Sequence, residues 1–535
     1  IGDAARIQAE IRHTREFSQL IDSNRATIPP HDYTTMQQSL ERMSVSLLDA
    51  AEASAEEASS AITIETTSKV YTGTQGRPRL EIDREVLATA LQHRGVNDLA
   101  EIFDCNPRTI RRRAIEYGLV EPGAPVYVDY EDEESGQCVR IYNPEQQQEH
   151  KPNNSGISDA ELDVVTVRIL EIFPSFGRRM ITGHLRHLGH NIPQERIRAS
   201  YERVQGMPAY MVSRPMGHRT YWVAGPNALW HHDGQHGLIR YRIVIHGFVD
   251  GYSRMITGMR AHDNNRKDTV AALSHDARAV HGTPSRVRGD HGVENLEVAE
   301  WMETNFGVER GSYIWGRSVH NIRIERLWRD VTRGFGQKWK EFFRGLEAAA
   351  GLCPDWNAHI WLLHHLFLPS VNEEAMEWIE TWNHHTVTIH SQRDRSPRDM
   401  FFFGQLTNGW RDMALLANSD DFAEPDPLEA ADIAGYGIDW DDLEDRGILR
   451  HHAANNEPEV DNVFASFGSN QPTELSYVEI PTFDSPLTDD QIGLLDEHIS
   501  QSPHAFSSDM GDRRSLWVEC LQFCRLLLSH SQPGN

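Results

Sequence analysis

Between Trp230 and Met259 three apolar stretches follow one another, and glycine and polar residues break each one before it reaches helix length. They are the run that opens LWHHDG, then Tyr241 to Phe248, then Arg254 to Met259. Short alternating runs with such turns pair as an antiparallel meander. This meander constrains the fold most, because two carboxylates, Asp233 and Asp250, fall within it. A charge on a strand buried in a sheet must be paired, hydrogen-bonded or bound to a metal. The spacing then predicts a helix from Lys267 to Val280, a short strand SRVRG ending on Asp290, and a helix from about Leu296 to Asn305. After the loop SYIWGRSVHN comes a third helix, IRIERLWRDVTRGF, which carries Glu325.

The order strand-strand-strand-helix-strand-helix-strand-helix is that of an α/β ribonuclease H-like core, a mixed five-stranded sheet with flanking helices. Its first strand lies beside its fourth, which would bring Asp233 to Asp290. At these residues the sequence resembles the DDE integrase/transposase superfamily, whose active site is two aspartates and a glutamate. The matching positions are Asp233 in LWHHDG, Asp290 in GDHGVEN and Glu325 in HNIRIERLWRD, separated by 57 and 35 residues. The resemblance covers about residues 225 to 405, including ETWNHH and QRDRSPRDMFFFG, which look like the end of an integrase core. His291 stands where the family usually has Asn, and Asn295 where it usually has Phe. Asp250, in DGYSR, reads instead as a turn residue.

The resemblance implies metal-dependent phosphodiester hydrolysis that exposes a 3′-hydroxyl, followed by strand transfer into target DNA. Two Mg²⁺ ions, with Mn²⁺ as a substitute, would be held by Asp233, Asp290 and Glu325, since hard cations prefer carboxylate oxygens. Asp233 would bridge both ions, with Asp290 on one and Glu325 on the other. A zinc site at His231, His232, Asp233 and His236 is the poorer reading, because a four-residue step along a strand is roughly 13 Å. The implied partner is double-stranded DNA, both element ends and target, with a homo-oligomer forming on it and no membrane. The alternative is a host-adopted, catalytically silent DNA-binding or regulatory protein derived from a transposase.

The net charge of −27 would argue against a nucleic-acid partner were it uniform. It is not. Residues 151 to 416 hold 32 Lys+Arg against 29 Asp+Glu, whereas residues 1 to 150 hold 15 against 26 and residues 417 to 535 hold 5 against 24. The acidity lies in the flanks. Within 76 to 121, Asn106 and Pro107 mark a helix start and Gly118 its end, so a helix-turn-helix is expected. Its second helix carries Arg108, Arg111, Arg112 and Arg113, of which Arg108, Arg111 and Arg112 are expected on DNA, with Arg77 and Arg79 as a minor-groove arm upstream. A second helix-turn-helix is expected over 159 to 206, with Arg196, Arg198 and Arg203 on its basic helix and Arg196 and Arg198 expected on DNA. Arg326, Arg329 and Arg333 recur at three and four residues beside Glu325, a stripe suited to a phosphate backbone.

The remaining segments are expected to be a weakly ordered 1 to 75, an acidic and polar linker over 122 to 158, a catalytic core over 207 to 405, and an acidic, partly disordered 406 to 535. Deleting 418 to 535 should then leave the core folded. The helix-turn-helix front and the absence of a His/Cys zinc module favour a transposon-type over a retroviral relative. Five cysteines without a C-x-x-C pair give no reason to expect structural zinc. No apolar run spans a membrane, and the charged start excludes a signal peptide, so a nuclear or, in a prokaryote, cytoplasmic protein is expected. The opening on Ile1 suggests a truncated or reconstructed reading frame.

Overall fold

The computed structural model describes residues 65–71, 78–122, 127–131, 138–142, 156–205, 223–307, 311–316, 321–387, 395–413 and 475–530, with scattered positions before 45. Arg77 of the expected arm lies outside them.

A hairpin of β1 (Thr67–Val70) and β2 (Arg79–Ile82) leads into α1 (Arg84–His93), α2 (Val96–Ile102) and α3 (Pro107–Glu116). Local chemistry explains the boundaries. The Asp83 carboxylate accepts from the Glu85 and Val86 amides at the start of α1, Asn106 accepts from Arg108 N at the start of α3, and Gly118 takes a positive φ of 67° after it. Leu87, Leu99, Phe103 and Ile110 fill this unit's core, and Phe403, from the far end of the chain, joins them. Arg94 reinforces the junction with a two-pronged bond to Asp399, both contacts 2.8 Å. The first helical unit is therefore docked.

Within the stretch expected as a linker, β3 (Tyr127–Glu131) and β4 (Cys138–Tyr142) pair as a hairpin held by Arg140 and Asp129. The alternation YVDYE and CVRIY carries the strand signal on either side of an acidic stretch of sequence. The second helical unit follows as α4 (Asp159–Ile172), α5 (Arg178–His187) and α6 (Gln194–Gln205). Ser158 and Glu161 form a reciprocal cap at its start. Leu162, Ile169, Ile181 and Leu185 enter the main core rather than a core of their own, and the His184 ring bonds Thr381 at 2.7 Å.

The central sheet has the order β7-β6-β5-β8-β9, from β5 (Leu229–Leu238), β6 (Ile243–Asp250), β7 (Ile256–His262), β8 (Arg286–Gly289) and β9 (Tyr313–Trp315). β6 pairs antiparallel to β5 and β7, whereas β8 pairs parallel to β5 and β9. This is the expected five-stranded mixed sheet, and the stretch expected as a loop after Asn305 holds its last strand. Period-two alternation sorts the faces: Ile243, Ile245 and Val249 face one core, while Trp230 and Phe248 face the other. α7 (Lys267–His281) and α8 (Leu296–Phe306) cover the second. α9 (Ile322–Val331), α10 (Gln337–Ala349) and α11 (Asn357–His384) cover the first, with one π-helical turn, Thr332–Gly336, joining α9 to α10.

α12 (Pro397–Asn408) closes against the first helical unit. The charge break near residue 417 does not end the packed structure. α13 (Asp489–Gln501) and α14 (Met510–His530) bring Leu495, Leu516, Trp517 and Cys520 into the main core. Arg513 bonds buried Glu374 at 2.9 Å, and Glu374 also takes Lys338 at 2.7 Å and Trp339 Nε1 at 2.8 Å.

Candidate active site

β5 and β8 run parallel with His231 opposite Arg288. Carried two residues further, that register sets Asp233 level with Asp290, and adjacent strands lie about 4.8 Å apart. Both side chains leave on the face that α9 covers, because His231 and Asp233 share a parity opposite to that of Trp230 and His232. α9 is tied to β5 at two points that bracket Glu325. At its start, Asn321 donates to His232 O at 2.6 Å and meets His231 Nδ1 at 2.7 Å; one turn past Glu325, Trp328 Nε1 donates to Asp233 Oδ2 at 2.9 Å. Glu325 itself hydrogen-bonds Asp233. The three carboxylates thus converge.

Two glycines make the close packing possible. A Cβ on Gly247, which pairs with Asp233 across β5 and β6, would lie 2.7 Å from Trp328 Cη2, so only glycine lets the indole cross the sheet. A Cβ on Gly289, just before Asp290, would collide with Tyr313 Oη and lie 2.6 Å from His232 Nε2, two atoms that bond each other at 2.8 Å beneath it.

Electrostatics follow from this crowding. Burial, then the charge of Asp290, push the Asp233 carboxyl up to about 8, against the pull of the Trp328 N–H. Glu294 is a fourth acid that sequence reasoning missed. Burial and the Asp290 charge push it up to about 8 as well, and the only signal for it was its place four residues after Asp290 in GDHGVEN. Burial holds the nearby His231 and His232 down at about 3, so they stay neutral and give the acids no cation. Their two rings bond partners on opposite faces, which removes the zinc arrangement with His236. Asn295, the departure from the family's Phe, has work here: its Nδ2 donates to Asp290 Oδ1 at 2.5 Å and to Asp290 O at 3.2 Å.

Asp250 is set apart. It pairs across from Trp230, three residues from Asp233 along β5, and accepts from Ser253 N at 2.7 Å, Ser253 Oγ at 2.6 Å and Asn227 N at 2.8 Å. Burial raises its carboxyl only to about 6 because these donors oppose the shift.

Of the arginines singled out for DNA, Arg108, Arg111 and Arg112 are exposed on α3, while the neighbouring Arg113 is buried and bonds Leu80 O. Arg79 is held by Glu116. Arg196 bonds Asp159 and Ile157 O, and Arg198 bonds Glu202. Arg326 and Arg329 are half-buried and Arg333 is exposed, and all three lie near the Asp330 carboxyl, which burial raises and they lower. A separate His187, Glu380 and His384 cluster has ligand atoms close enough for a metal. However, His384 Nδ1 reaches Glu380 O at 2.7 Å while its Nε2 meets Arg398 Nη1 at 3.0 Å, so both ring nitrogens are engaged without one.

Residues 220–414 match the family model described as an integrase core domain. No curated protein matches the chain.

Proposed function

We propose that this chain, whose residues 220–414 are a ribonuclease H-like integrase core of the DDE integrase/transposase superfamily, is a polynucleotidyl transferase that hydrolyses a DNA phosphodiester and joins the exposed 3′ end to target DNA. The observation that carries the reading is the convergence of Asp233, Asp290 and Glu325 from two parallel strands and one helix.

The donor set fits divalent cations. All three ligands are hard oxygens, and burial, then the charge of Asp290, push Asp233 up to about 8, a penalty on its charged form that bound cations relieve. Mg²⁺, or Mn²⁺ in its place, would supply Lewis acidity and neutralise charge at the attacking and leaving oxygens. The chain's own residues do the positioning. Trp328 fixes Asp233 Oδ2, while Asn295 and Gly292 N fix Asp290 Oδ1, so one oxygen of each aspartate is held and the direction of the other is set. Glu325 approaches from α9, whose two ties to β5 set its height. Arg326, Arg329 and Arg333 follow on the same helical stretch and would hold substrate phosphates nearby.

A Mg²⁺-dependent joining assay on short duplexes tests this. Asp290→Asn keeps shape but removes charge, so joining should fall by several orders of magnitude with DNA binding retained. Asp250→Asn should join DNA normally once its melting temperature confirms that it is folded. Loss of joining in Asp250→Asn but not Asp290→Asn would overturn the assignment of the acids. A folded wild type that binds its DNA ends and joins none would instead support the silent, DNA-binding reading.

A further inference from the structure

A cleft of ≈ 1480 Å³ lies between the first helical unit, the end of α5 and the core. That exceeds the roughly 300–1,000 Å³ of an ordinary small-molecule pocket. Six arginines line it: Arg94 after α1, Arg186 on α5, Arg254 in the turn between β6 and β7, Arg323 on α9, and Arg395 and Arg398 around the start of α12. Among the described residues, Asp98, Glu101 and Asp399 are the carboxylates on its walls, and Arg94 already neutralises Asp399. The balance is cationic. Aromatic surface is interleaved with the charge at half-buried Tyr252, whereas Phe403 is buried behind the wall with Arg94 3.8 Å above its ring. Arg323, two residues before Glu325 on α9, is one of the lining residues, as are Gln92 to Gly95 of the first helical unit, while Asp233, Asp290 and Glu325 themselves do not line the cleft.

A positive groove with aromatic faces is the chemistry that holds a single nucleic-acid strand: guanidinium groups track the phosphates and rings meet unstacked bases. Resting on the catalytic reading, we propose that this cleft holds the sugar-phosphate backbone of one DNA strand that has left its duplex partner and passes Arg323. It would be a second binding site, distinct from the exposed arginines of α3.

Arg186 and Arg395 are the residues to test, because neither guanidinium makes a hydrogen bond or ion pair among the described residues. The full chain is titrated by fluorescence anisotropy with a duplex bearing a single-stranded 3′ tail and with the same duplex blunt, at several salt concentrations. Wild type should prefer the tailed duplex. The Arg186→Ala/Arg395→Ala variant should lose that preference, with the slope of log K against log salt falling by roughly 1.4 on the tailed duplex alone, about 0.7 for each single-strand phosphate that is no longer neutralised. Arg186→Lys/Arg395→Lys should restore the slope, which loss of fold could not explain. Equal losses on both substrates would make the cleft a duplex surface, and no loss on either would mean that it holds no DNA; both overturn the proposal. Anisotropy needs no turnover, so a wild type that joins nothing while showing the tail preference would count against the catalytic reading alone.

Discussion

Two aspartates sit on adjacent strands of one sheet, both buried, and what separates their roles is what each one faces. Asp250 accepts three hydrogen bonds from its own turn and from Asn227, whereas Asp233 has an indole N–H and a hydrogen bond to Glu325, with Asp290 level with it on the next strand. The raised carboxyls make stability depend on pH with a definite sign. Between the ordinary carboxylate range and about 8, the folded state keeps protons on Asp233 and Glu294 that the unfolded chain has released, so the contribution of these two acids falls as pH rises through that window. Metal-free protein should therefore melt a few degrees lower at pH 8 than at pH 7, above the range in which the buried neutral histidines, His231 and His232 among them, give the opposite slope, since about 1 kcal/mol moves the midpoint of such a domain roughly 2–4 °C. Mg²⁺ should flatten the slope, and Asp290→Asn should reduce it without metal; a slope of the opposite sign in calorimetry would show that other groups dominate. Gly247→Ala gives a second residue-scale expectation. Its methyl would collide with Trp328, so about 1–3 kcal/mol of stability should be lost in denaturant unfolding, together with joining, as the indole leaves Asp233. That Asp233, Asp290 and Glu325 would come together was legible from the order of elements and the family resemblance. Glu294 was not, because its approach to Asp290 depends on the short 3₁₀ turn Val293–Asn295, which no hydrophobic period announces.

At the scale of elements, composition misleads for the segment after the charge break. Net charge reports the exposed faces, while burial follows the apolar positions: Leu516, Trp517, Cys520, Leu521 and Cys524 recur at helical spacing on α14 and sit in the main core. Trp517 is fully buried and donates to Ala350 O at 2.9 Å, and Arg513 beside it completes the bonding of Glu374. Trp517→Ala should cost about 3–5 kcal/mol by chemical denaturation, the usual range for emptying a large buried aromatic site. Deleting 418 to 535 should cost more than that single site, because Glu374 would lose Arg513 along with the whole α14 face; cooperative melting of the deleted chain at the wild-type temperature would refute this. The same region reaches the candidate site directly. Ser476 N donates to His291 O at 2.9 Å and accepts, through its carbonyl, from Val293 N at 3.0 Å, forming a short parallel bridge at Gly292. A segment without a recognisable motif thus braces the loop that follows Asp290. Its two-residue bridge is too short to leave any pattern in sequence.

Over the whole molecule, the two helical units look alike in sequence, yet their arginines are used differently. On α3, Arg108, Arg111 and Arg112 are exposed, and the inward residues Ile110, Arg113 and Ala114 hold the helix without them. On α6, Arg196 and Arg203 are spent on α4, bonding Asp159 and Asp163, while Arg198 bonds Glu202 one turn on. A stripe of basic residues at helical spacing cannot reveal which of them are paired, since the partners lie 37 and 40 residues away and meet only after folding. Both units are docked on the core, the first through Phe403 and Arg94 with Asp399, the second through His184 with Thr381, so DNA held on α3 would lie at a fixed position relative to the carboxylates. If α3 is the duplex-reading surface, replacing Arg108, Arg111 and Arg112 together by Ala should leave the melting temperature unchanged and weaken duplex binding. The slope of log K against log salt should fall by up to about 2.7, near 0.9 for each phosphate that the variant no longer neutralises. Arg196→Ala/Arg198→Ala should do the reverse, lowering the melting temperature by removing the tie to α4 while leaving the salt slope as it was. An unchanged slope in the first variant, or a reduced one in the second, would move the duplex from the first helical unit to the second.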